Sequence, residues 1–223
     1  MQRSVRDRLA FYRQVLWRYH TTGAVAPSSR FLARALTRPL ARRAGPVRVL
    51  EVGPGSGSVT RAIIPLLEPG DRLDLVEINV ELADVVRRRF EVDSRFRPAA
   101  ELAEVHGVPL QEYDSPTPYD YVISSLPLNN FSAELVEELY ESYFRLLTPG
   151  GMLSYFEYIG MRPLRRLFTG QADRERVRRI SEIMAGYHER HRVATSCVLV
   201  NVPPARVQHL RAADDSTGNP TPG

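Results

Sequence analysis

The stretch that most constrains the fold is VLEVGPGSGSVTRAI at residues 49–63, where an apolar run leads into closely spaced glycines and then into a helical pattern. Glycine adopts positive φ at little cost and lets a ligand approach the backbone closely. A glycine-rich turn between a strand and a helix therefore presents backbone N–H groups to a ligand at the helix N-terminus. Gly53, Gly55 and Gly57 predict a binding turn of this kind.

An acidic residue follows the glycine turn at the distance that is typical of nucleotide-binding folds. A second strand pattern ends at Glu77, 20 residues after Gly57. In nucleotide-binding folds, an acid at this distance from the turn binds ribose hydroxyls. The dinucleotide pattern G-x-G-x-x-G would need a third glycine where Ser58 stands. The turn therefore favours a ribose-containing ligand, and a nicotinamide dinucleotide stays open as the competing choice.

From Gly45-Pro46 onward the chain alternates strand and helix patterns, which predicts an α/β fold with a parallel sheet and crossover helices. Two extended runs near the end, joined through Pro203-Pro204, could add an antiparallel strand that closes the sheet. The predicted strands are 47–52, 72–78, a short one near 105, 119–124 and 152–158, and the predicted helices are 59–67, 80–90, 133–147 and 174–189.

Length and composition fit one domain with small extensions. We expect a helical extension over 1–45, the main domain over 46–212 and a disordered tail over 213–223. The sequence has no run of about 18 apolar residues and no apolar segment typical of a signal peptide. Its single cysteine, Cys197, fits a reducing compartment. We therefore expect a cytoplasmic protein.

The positive charge is concentrated at the N-terminus. Residues 1–50 hold eleven arginines and one acidic residue, whereas the remainder holds 19 basic and 25 acidic residues. Such asymmetry predicts an anionic partner, either nucleic acid or the surface of an anionic membrane. Residues 4–20 have helical periodicity and carry Tyr12 and Trp17. An interfacial helix and a helix that packs on the domain both fit this pattern.

The pattern E-x-G-x-G-x-G resembles motif I of the class I S-adenosylmethionine-dependent methyltransferases. The resemblance implies a Rossmann-like, mostly parallel seven-stranded sheet with helices on both faces, preceded here by the N-terminal helical extension. It implies S-adenosylmethionine as cofactor and S-adenosylhomocysteine as product. By this resemblance the glycines line the cofactor, Glu51 supports the turn and Glu77 binds the ribose. The cofactor-binding residues are then Glu51, Gly53, Gly55, Gly57, Glu77, Ile78, Ser124 and Leu126.

The segment after the fourth strand bears on the methyl acceptor. Enzymes that methylate base amines carry [N/D]-[L/I/P]-P-[Y/F] there, so that a side chain accepts from the amine and a ring stacks on the base. Ser125-Leu126-Pro127-Leu128 keeps the proline and lacks both working side chains. The ribosomal RNA adenine dimethyltransferases, which are similar in motif I, therefore fit poorly.

The chain is more similar to the bacterial phospholipid N-methyltransferases and their relatives that act on ornithine lipids. The matching segments are TGAVAPSSRFLARAL, LEVGPGSGSVTRAI, VISSLPLNNF and VLVNVPPARVQHLR, between residues 22 and 211. The sequence departs from many relatives at Val108, in VHGVPL, where an acid usually holds the adenine amino group. Adenine recognition must then come from another residue or from the backbone.

The resemblance implies methyl transfer to the primary amine of a membrane lipid, with phosphatidylethanolamine, methylated towards phosphatidylcholine, as the first candidate. An ornithine lipid is the nearest alternative, followed by adenine N6 of ribosomal RNA and by a non-catalytic binding module. We expect peripheral binding to the anionic inner face of the cell membrane, with no metal and no nucleic acid. A basic N-terminal helix would supply about 1 kcal/mol per engaged arginine at that surface.

Candidate catalytic and substrate residues follow from these expectations. Tyr19 and His20 could accept the amine proton or bind the head group, and Ser124 is expected near the sulfonium. Glu157 could bind the cationic head group, or form an ordinary salt bridge. Ser28, Ser29 and Arg30 could receive the lipid phosphate, although helix capping also explains both serines. The predicted substrate and membrane residues are Tyr12, Trp17, Tyr19, Ser28, Ser29, Arg30 and Glu157, with a second basic patch at Arg162, Arg165, Arg166 and Phe168.

Overall fold

The computed structural model describes residues 29–159 and 171–214, with side chains from residue 174 onward in the final helix. The strands are β1 Arg48–Val52, β2 Arg72–Val76, β3 Ala103–His106, β4 Tyr119–Ser124, β5 Leu147–Tyr158, β6 Arg192–Val198 and β7 Ala205–Arg211. The helices are α1 Arg30–Leu36, α2 Thr60–Ile63, α3 Val80–Val92, α4 Ala133–Leu146 and α5 Gln171–His191. None of the described helices is both long enough and apolar enough to cross a membrane.

The seven strands form one sheet in the order β3-β2-β1-β4-β5-β7-β6. Strands β1 to β5 pair in parallel, and β7 runs antiparallel between β5 and β6. The predicted mostly parallel seven-stranded sheet is therefore confirmed, including the closing antiparallel pair. The strand order reverses between β1 and β4, and ligands of open α/β sheets bind in the crevice that such a reversal creates at the carboxyl ends of the strands.

Several predicted boundaries were wrong; strand β2, for example, ends at Val76 rather than at residue 78. The helix expected over 59–67 ends as α2 at Ile63 and continues as a 3₁₀ turn, because Pro65 cannot donate within an α-helix and its ring would clash with the preceding turn. Strand β5 begins at Leu147, five residues before the predicted start. Helix α5 extends to His191.

Apolar residues fill both faces of the sheet. On one face α4 and α5 pack against the strands around Tyr140, Tyr143 and Tyr155, which are almost fully buried. On the other face α1 and α3 cover a second cluster that includes Leu32 and Leu36 of α1. Because the sheet is covered on both faces, its central strands read as apolar runs rather than as alternating patterns.

Ser29 begins helix α1 as its N-cap, with its Oγ accepting from the Leu32 N–H at 3.2 Å. Its own N–H donates to Asn201 Oδ1 at 3.3 Å. Asn201 lies in the turn between β6 and β7, at the carboxyl edge of β5. The start of α1 is therefore tied to the edge of the sheet where the crevice opens.

Candidate functional site

The glycine turn after β1 has a backbone that other residues would strain. Gly53, Gly55 and Gly57 have φ values of 69°, 54° and 80°. The Gly53 N–H donates to the carbonyl of Val76 at 2.9 Å, which holds the turn against the end of β2. A Cβ on Gly53 would lie 2.4 Å from Leu126 Cδ2, so no side chain fits there without a shift.

Glu77 lies directly beneath this turn. Its side chain is buried, and its two carboxylate oxygens accept from the Gly55 N–H at 3.1 Å and the Asn79 N–H at 3.0 Å. Burial raises the pKa of Glu77, and these N–H groups oppose the rise. Asn79 in turn caps α3 by accepting from the Glu81 N–H at 3.0 Å. The carboxylate thus joins the glycine turn to the start of α3.

A cleft opens at the carboxyl ends of β1 and β2, beside α4. The structure brings four of the sequence-predicted residues together in its wall: Gly53, Glu77, Ile78 and Leu126. The remaining wall is mostly apolar and includes Leu110 and Phe131. A carboxylate beside a glycine turn, with apolar side chains around it, suits a nucleoside whose sugar is polar and whose base is flat.

Glu51 lies behind the turn and does not line the cleft. Its side chain is fully buried, and neither carboxyl oxygen has a hydrogen-bond partner among the described residues. Burial raises its pKa to about 8, a rise that the neighbouring Thr60 opposes. In the cleft itself, a cradle that only glycine fits and the buried Glu77 carboxylate beside it are features of a site built for a polar ligand. The residues present therefore fit the predicted cofactor.

Gln111 was missed by the sequence reasoning. Val108, which stands where relatives carry an acid, packs against the apolar core instead of entering the cleft. Gln111, three residues later, lines the cleft. Its amide nitrogen lies 3.5 Å from Glu138 Oε2, and its amide oxygen has no partner within the described chain. The only sign of Gln111 in the sequence was its position, because it follows β3 close to Val108, where adenine recognition was expected.

Ser124 is buried, and its hydroxyl is not directed into the cleft. Its Oγ is 2.7 Å from the Tyr143 hydroxyl and accepts from the Leu126 N–H at 3.3 Å. The neighbouring Ser125 differs, because its Oγ is buried with no partner among the described residues. Ser125 occupies the first position of the motif that reads [N/D]-[L/I/P]-P-[Y/F] in enzymes that methylate base amines, so its position in the motif was a signal for it.

A second polar group lies one strand away from the cleft. Register pairs Ile123 of β4 with Ser154 of β5, so Tyr155 stands beside Ser124 on the α4 face, and Glu157 follows nearer the carboxyl edge. Glu157 is only 8% exposed. The structure confirms that Glu157 is at the end of β5.

Three residues surround Glu157, one from its own strand and two from other elements, and none was predicted. Gln208 of β7 donates to Glu157 Oε1 at 3.1 Å. His188 Nε2 of α5 lies 3.7 Å from the same oxygen and is hydrogen-bonded to the Tyr155 hydroxyl. We call Tyr155, Glu157, His188 and Gln208 the β5 polar cluster. A carboxylate, an imidazole and a phenol in contact can attract a cation and take up a proton.

The other predicted substrate residues are only partly described. Arg30 opens α1 and its guanidinium lies 4.8 Å from the Phe31 ring centroid. Ser29 has its oxygen occupied as a helix cap, which fits the capping alternative. Tyr12, Trp17, Tyr19, His20, Ser28, Arg162, Arg165, Arg166 and Phe168 lie outside the described residues.

A further cluster of polar side chains, on β2 and β3, has the composition of a metal site. Asp74, Glu104 and His106 place one ligand atom each within 4.8 Å of one another. Asp74 already accepts from the Tyr119 hydroxyl at 2.6 Å, and Arg48 lies 3.2 Å from the same oxygen. Although burial opposes ionisation of Asp74, hydrogen bonds from His106 and Tyr119 lower its pKa. These contacts explain the group as a structural ion-pair network.

Comparison with known proteins bears on the chemistry of the cleft. Residues 50–153 match the family model of a methyltransferase domain. An ornithine lipid N-methyltransferase from Singulisphaera acidiphila is 26% identical over 155 residues, covering 65% of this chain and 76% of that protein. Ribosomal RNA small subunit methyltransferase A from Parasynechococcus marenigrum is 37% identical over 82 residues, which are 37% of this chain and 26% of that protein.

Solved structures with the same fold are also found. The O-methyltransferase TomG from Streptomyces achromogenes, solved with S-adenosylmethionine, superposes with a TM-score of 0.61 at 18% identity and covers 95% of this chain and 92% of its own. The N-methyltransferase NodS from Bradyrhizobium japonicum superposes with a TM-score of 0.57 at 14% identity and covers 82% of this chain and 94% of its own. At these identities the likeness concerns the fold.

Proposed function

We propose that the chain is a class I S-adenosylmethionine-dependent methyltransferase, because residues 50–153 match the family model of a methyltransferase domain, and that it transfers a methyl group from S-adenosylmethionine to the primary amine of a membrane lipid. An ornithine lipid is the first acceptor to test, since the relative from Singulisphaera acidiphila bears that name. Phosphatidylethanolamine is the second, because the segments that resemble phospholipid N-methyltransferases form the glycine turn, the end of β4 and the β6–β7 pair.

S-adenosylmethionine, when bound, supplies a methyl group on a positively charged sulfur. The described residues that would hold it are those of the cleft. Glu77 would accept from the ribose hydroxyls, and the Gly53 turn would leave room for the methionine part. Ile78 would pack against the adenine, and the amide oxygen of Gln111, which has no partner among the described residues, would accept from the adenine amino group. Gln111 would thus replace the acid that is missing at Val108.

The observation that carries the acceptor side is the β5 polar cluster, with the buried carboxylate of Glu157 beside an imidazole. A lipid amine is an ammonium ion at neutral pH, and it must lose a proton before its lone pair can attack a methyl group. Glu157 attracts the ammonium, while His188 takes the proton. Ser125, with its unpaired hydroxyl at the end of β4, orients the amine. Tyr19 and His20 remain further candidates for the same step.

The protein is proposed to reach its substrate by binding the membrane surface. Residues 1–50 carry eleven arginines and one acid, and each arginine near an anionic leaflet contributes about 1 kcal/mol. Deletion of residues 1–20 is expected to reduce co-sedimentation with phosphatidylglycerol vesicles and to lower lipid methylation. Unchanged co-sedimentation of the truncated protein would contradict this part of the proposal.

Radiolabelled S-adenosylmethionine tests the acceptor directly. The protein is incubated in parallel with vesicles containing ornithine lipid, vesicles containing phosphatidylethanolamine, and ribosomal RNA. The proposal expects label in the organic phase and none in RNA. Label in RNA alone would instead support methylation of ribosomal RNA, the activity in the name of the relative from Parasynechococcus marenigrum.

Two variants separate the two halves of the site. Glu77→Gln should weaken adenosylhomocysteine binding in calorimetry by about tenfold or more, because an amide replaces the charged acceptor of the ribose hydroxyls. Glu157→Gln should lower lipid methylation by about 10- to 100-fold, because the neutral amide no longer attracts the ammonium ion and a hydrogen bond to a charged group is worth about 1.5–3 kcal/mol, and it should leave adenosylhomocysteine affinity unchanged. The matched control, Glu189→Gln on the exposed surface of α5, should change neither quantity.

A further inference from the structure

A large cavity lies at the amino-terminal edge of the parallel strands, at the opposite end of the sheet from the cofactor cleft. It has a volume of about 710 Å³ and is bounded by the connection between α1 and β1, the first residues of β4 to β6, and the end of β7. It shares no lining residue with the cleft. Neither the superfamily's methyl transfer nor the proposed acceptor gives this cavity a role.

The cavity wall is strongly basic. Arg38, Arg42, Arg43 and Arg211 contribute to it, against two acids, Asp120 and Asp214. Arg43 is held by Asp71 at 2.8 Å. Within the described part of the chain, Arg38, Arg42 and Arg211 form no ion pair. Four arginines in one concave surface, which outnumber the two acids in its wall, raise the local concentration of anions.

His209 adds a buried polar group to the same wall. It is 3% exposed, and its Nδ1 lies 2.8 Å from the Ser154 hydroxyl. Its Nε2 is buried with no partner among the described residues. Burial, together with the charge of Arg38, lowers the pKa of His209 to about 4, so the ring is neutral at pH 7. When the Ser154 hydroxyl donates to Nδ1, the ring proton is on Nε2.

A second buried donor lines the cavity. The Arg43 side chain is 8% exposed, and its Nε also lacks a partner in the described residues. Leaving a buried donor unsatisfied costs about 1–3 kcal/mol. Two such donors in one basic cavity are what an anion with several acceptor oxygens would satisfy, and a phosphate ester has the charge and the oxygens to do so.

We propose that this cavity is a second binding site, which takes the phosphate group of a monoester or diester, with Arg38, Arg42 and Arg211 supplying charge and His209 Nε2–H a buried hydrogen bond. The volume leaves room for the remainder of an ester around the phosphate. The ester could come from a soluble metabolite or from an anionic lipid head group, and the two sources share this recognition chemistry. The proposal does not depend on the identity of the methyl acceptor.

Calorimetry with the full chain tests the site, with inorganic phosphate and glycerophosphoglycerol as soluble probes and phosphatidylglycerol vesicles as the lipid probe. The variant Arg38→Gln/Arg42→Gln should weaken phosphate binding by about tenfold or more. The control Arg72→Gln/Arg88→Gln removes the same charge from exposed positions outside both the cavity and the basic segment 1–50. Both variants should bind adenosylhomocysteine like the unaltered protein.

The probes also separate the sources. If the cavity variant, unlike the control, binds both glycerophosphoglycerol and vesicles more weakly, the site accepts either source. If it binds only the vesicles more weakly, the source is a lipid. Equal binding of every phosphate probe by the cavity variant and the control would overturn the proposal.

A second measurement avoids the folding risk of altering a buried histidine. In the unaltered protein, the ¹⁵N resonance of His209 Nε2 should shift as inorganic phosphate is titrated, while the ¹⁵N resonances of a histidine outside the cavity wall, such as His106, should not follow the same saturation curve. A His209 signal that stays constant at saturating phosphate would overturn the assignment of Nε2–H as the buried donor.

Discussion

Substituting Gly53 by alanine should lower the stability of the fold for two reasons, the conformation of the backbone and the lack of space for a Cβ. One is the backbone, since Gly53 has φ of 69° and the left-handed region costs an L-residue about 1–2 kcal/mol. The other is space, because the new Cβ would lie 2.4 Å from Leu126 Cδ2. Overpacking of this kind costs about 1–3 kcal/mol. The lower chain entropy of alanine in the unfolded state returns about 0.4–1 kcal/mol. We therefore expect Gly53→Ala to lower the free energy of unfolding by about 2–4 kcal/mol.

Gly45 is the matched control for the backbone cost. Its φ is 73°, and a Cβ there would meet no heavy atom within 4 Å. Gly45→Ala should therefore lower the free energy of unfolding by only about 1 kcal/mol. Urea denaturation gives both values, and adenosylhomocysteine calorimetry shows whether Gly53→Ala also weakens the cofactor cleft.

A double-mutant cycle with Leu126→Ala isolates the contact itself. Removing the leucine methyl groups makes room for the new Cβ, so the two substitutions together should cost less than the sum of each alone by about 1–3 kcal/mol. Equal stability of the Gly53 and Gly45 variants, with no coupling to Leu126, would refute the reasoning that Leu126 closes over the turn.

Two further predictions concern buried polar groups. Glu51 is protonated in the folded protein up to about pH 8 and ionises near pH 4.5 when unfolded, so stability should fall as pH rises between these values, by about 3–5 kcal/mol. Glu51→Gln should remove most of that fall in urea denaturation at pH 5, 6.5 and 8; an unchanged pH profile would contradict the raised pKa. Tyr119→Phe leaves the Asp74 carboxylate and the Tyr113 hydroxyl without their 2.6 Å partner, so unfolding should become easier by about 2 kcal/mol. Tyr121→Phe on the same strand should change stability by less than about 0.5 kcal/mol, and equal effects of the two would count against the network.

The parts of the fold that depend on local pattern were predicted from the sequence. Each parallel strand carries an apolar run that is bounded by turn residues, and the glycine turn with Glu77 is a local motif. The start of β5 was not predictable in this way. Residues 147–151, LTPGG, resemble a turn, yet Leu147 pairs with Tyr119 across an irregular register. That pairing depends on the neighbouring strand, which a local pattern does not report.

One part of the candidate site could be predicted from local sequence patterns, and the other part could not. The cofactor cleft could be predicted because its residues follow β1 and β2 at fixed spacing. The β5 polar cluster could not, because Tyr155, His188 and Gln208 come from three elements that meet only after the sheet has closed. The direction of the Ser124 hydroxyl also depends on α4, which brings Tyr143 to 2.7 Å from it. The 3₁₀ turn at Leu110–Glu112 decides that Gln111, and not Val108, lines the cleft. A local sequence pattern does not report this choice either.

Glu77 is immobilised before any nucleoside arrives, because backbone N–H groups from two segments already hold its carboxylate. A free glutamate side chain would forfeit about 1.5–2 kcal/mol of rotamer entropy on capturing a sugar, and this one has already lost that freedom during folding. The same anchoring couples the glycine turn to the first turn of α3. Thermal loosening of either segment would release the other, so the sugar end of the cleft should lose its shape in a single step.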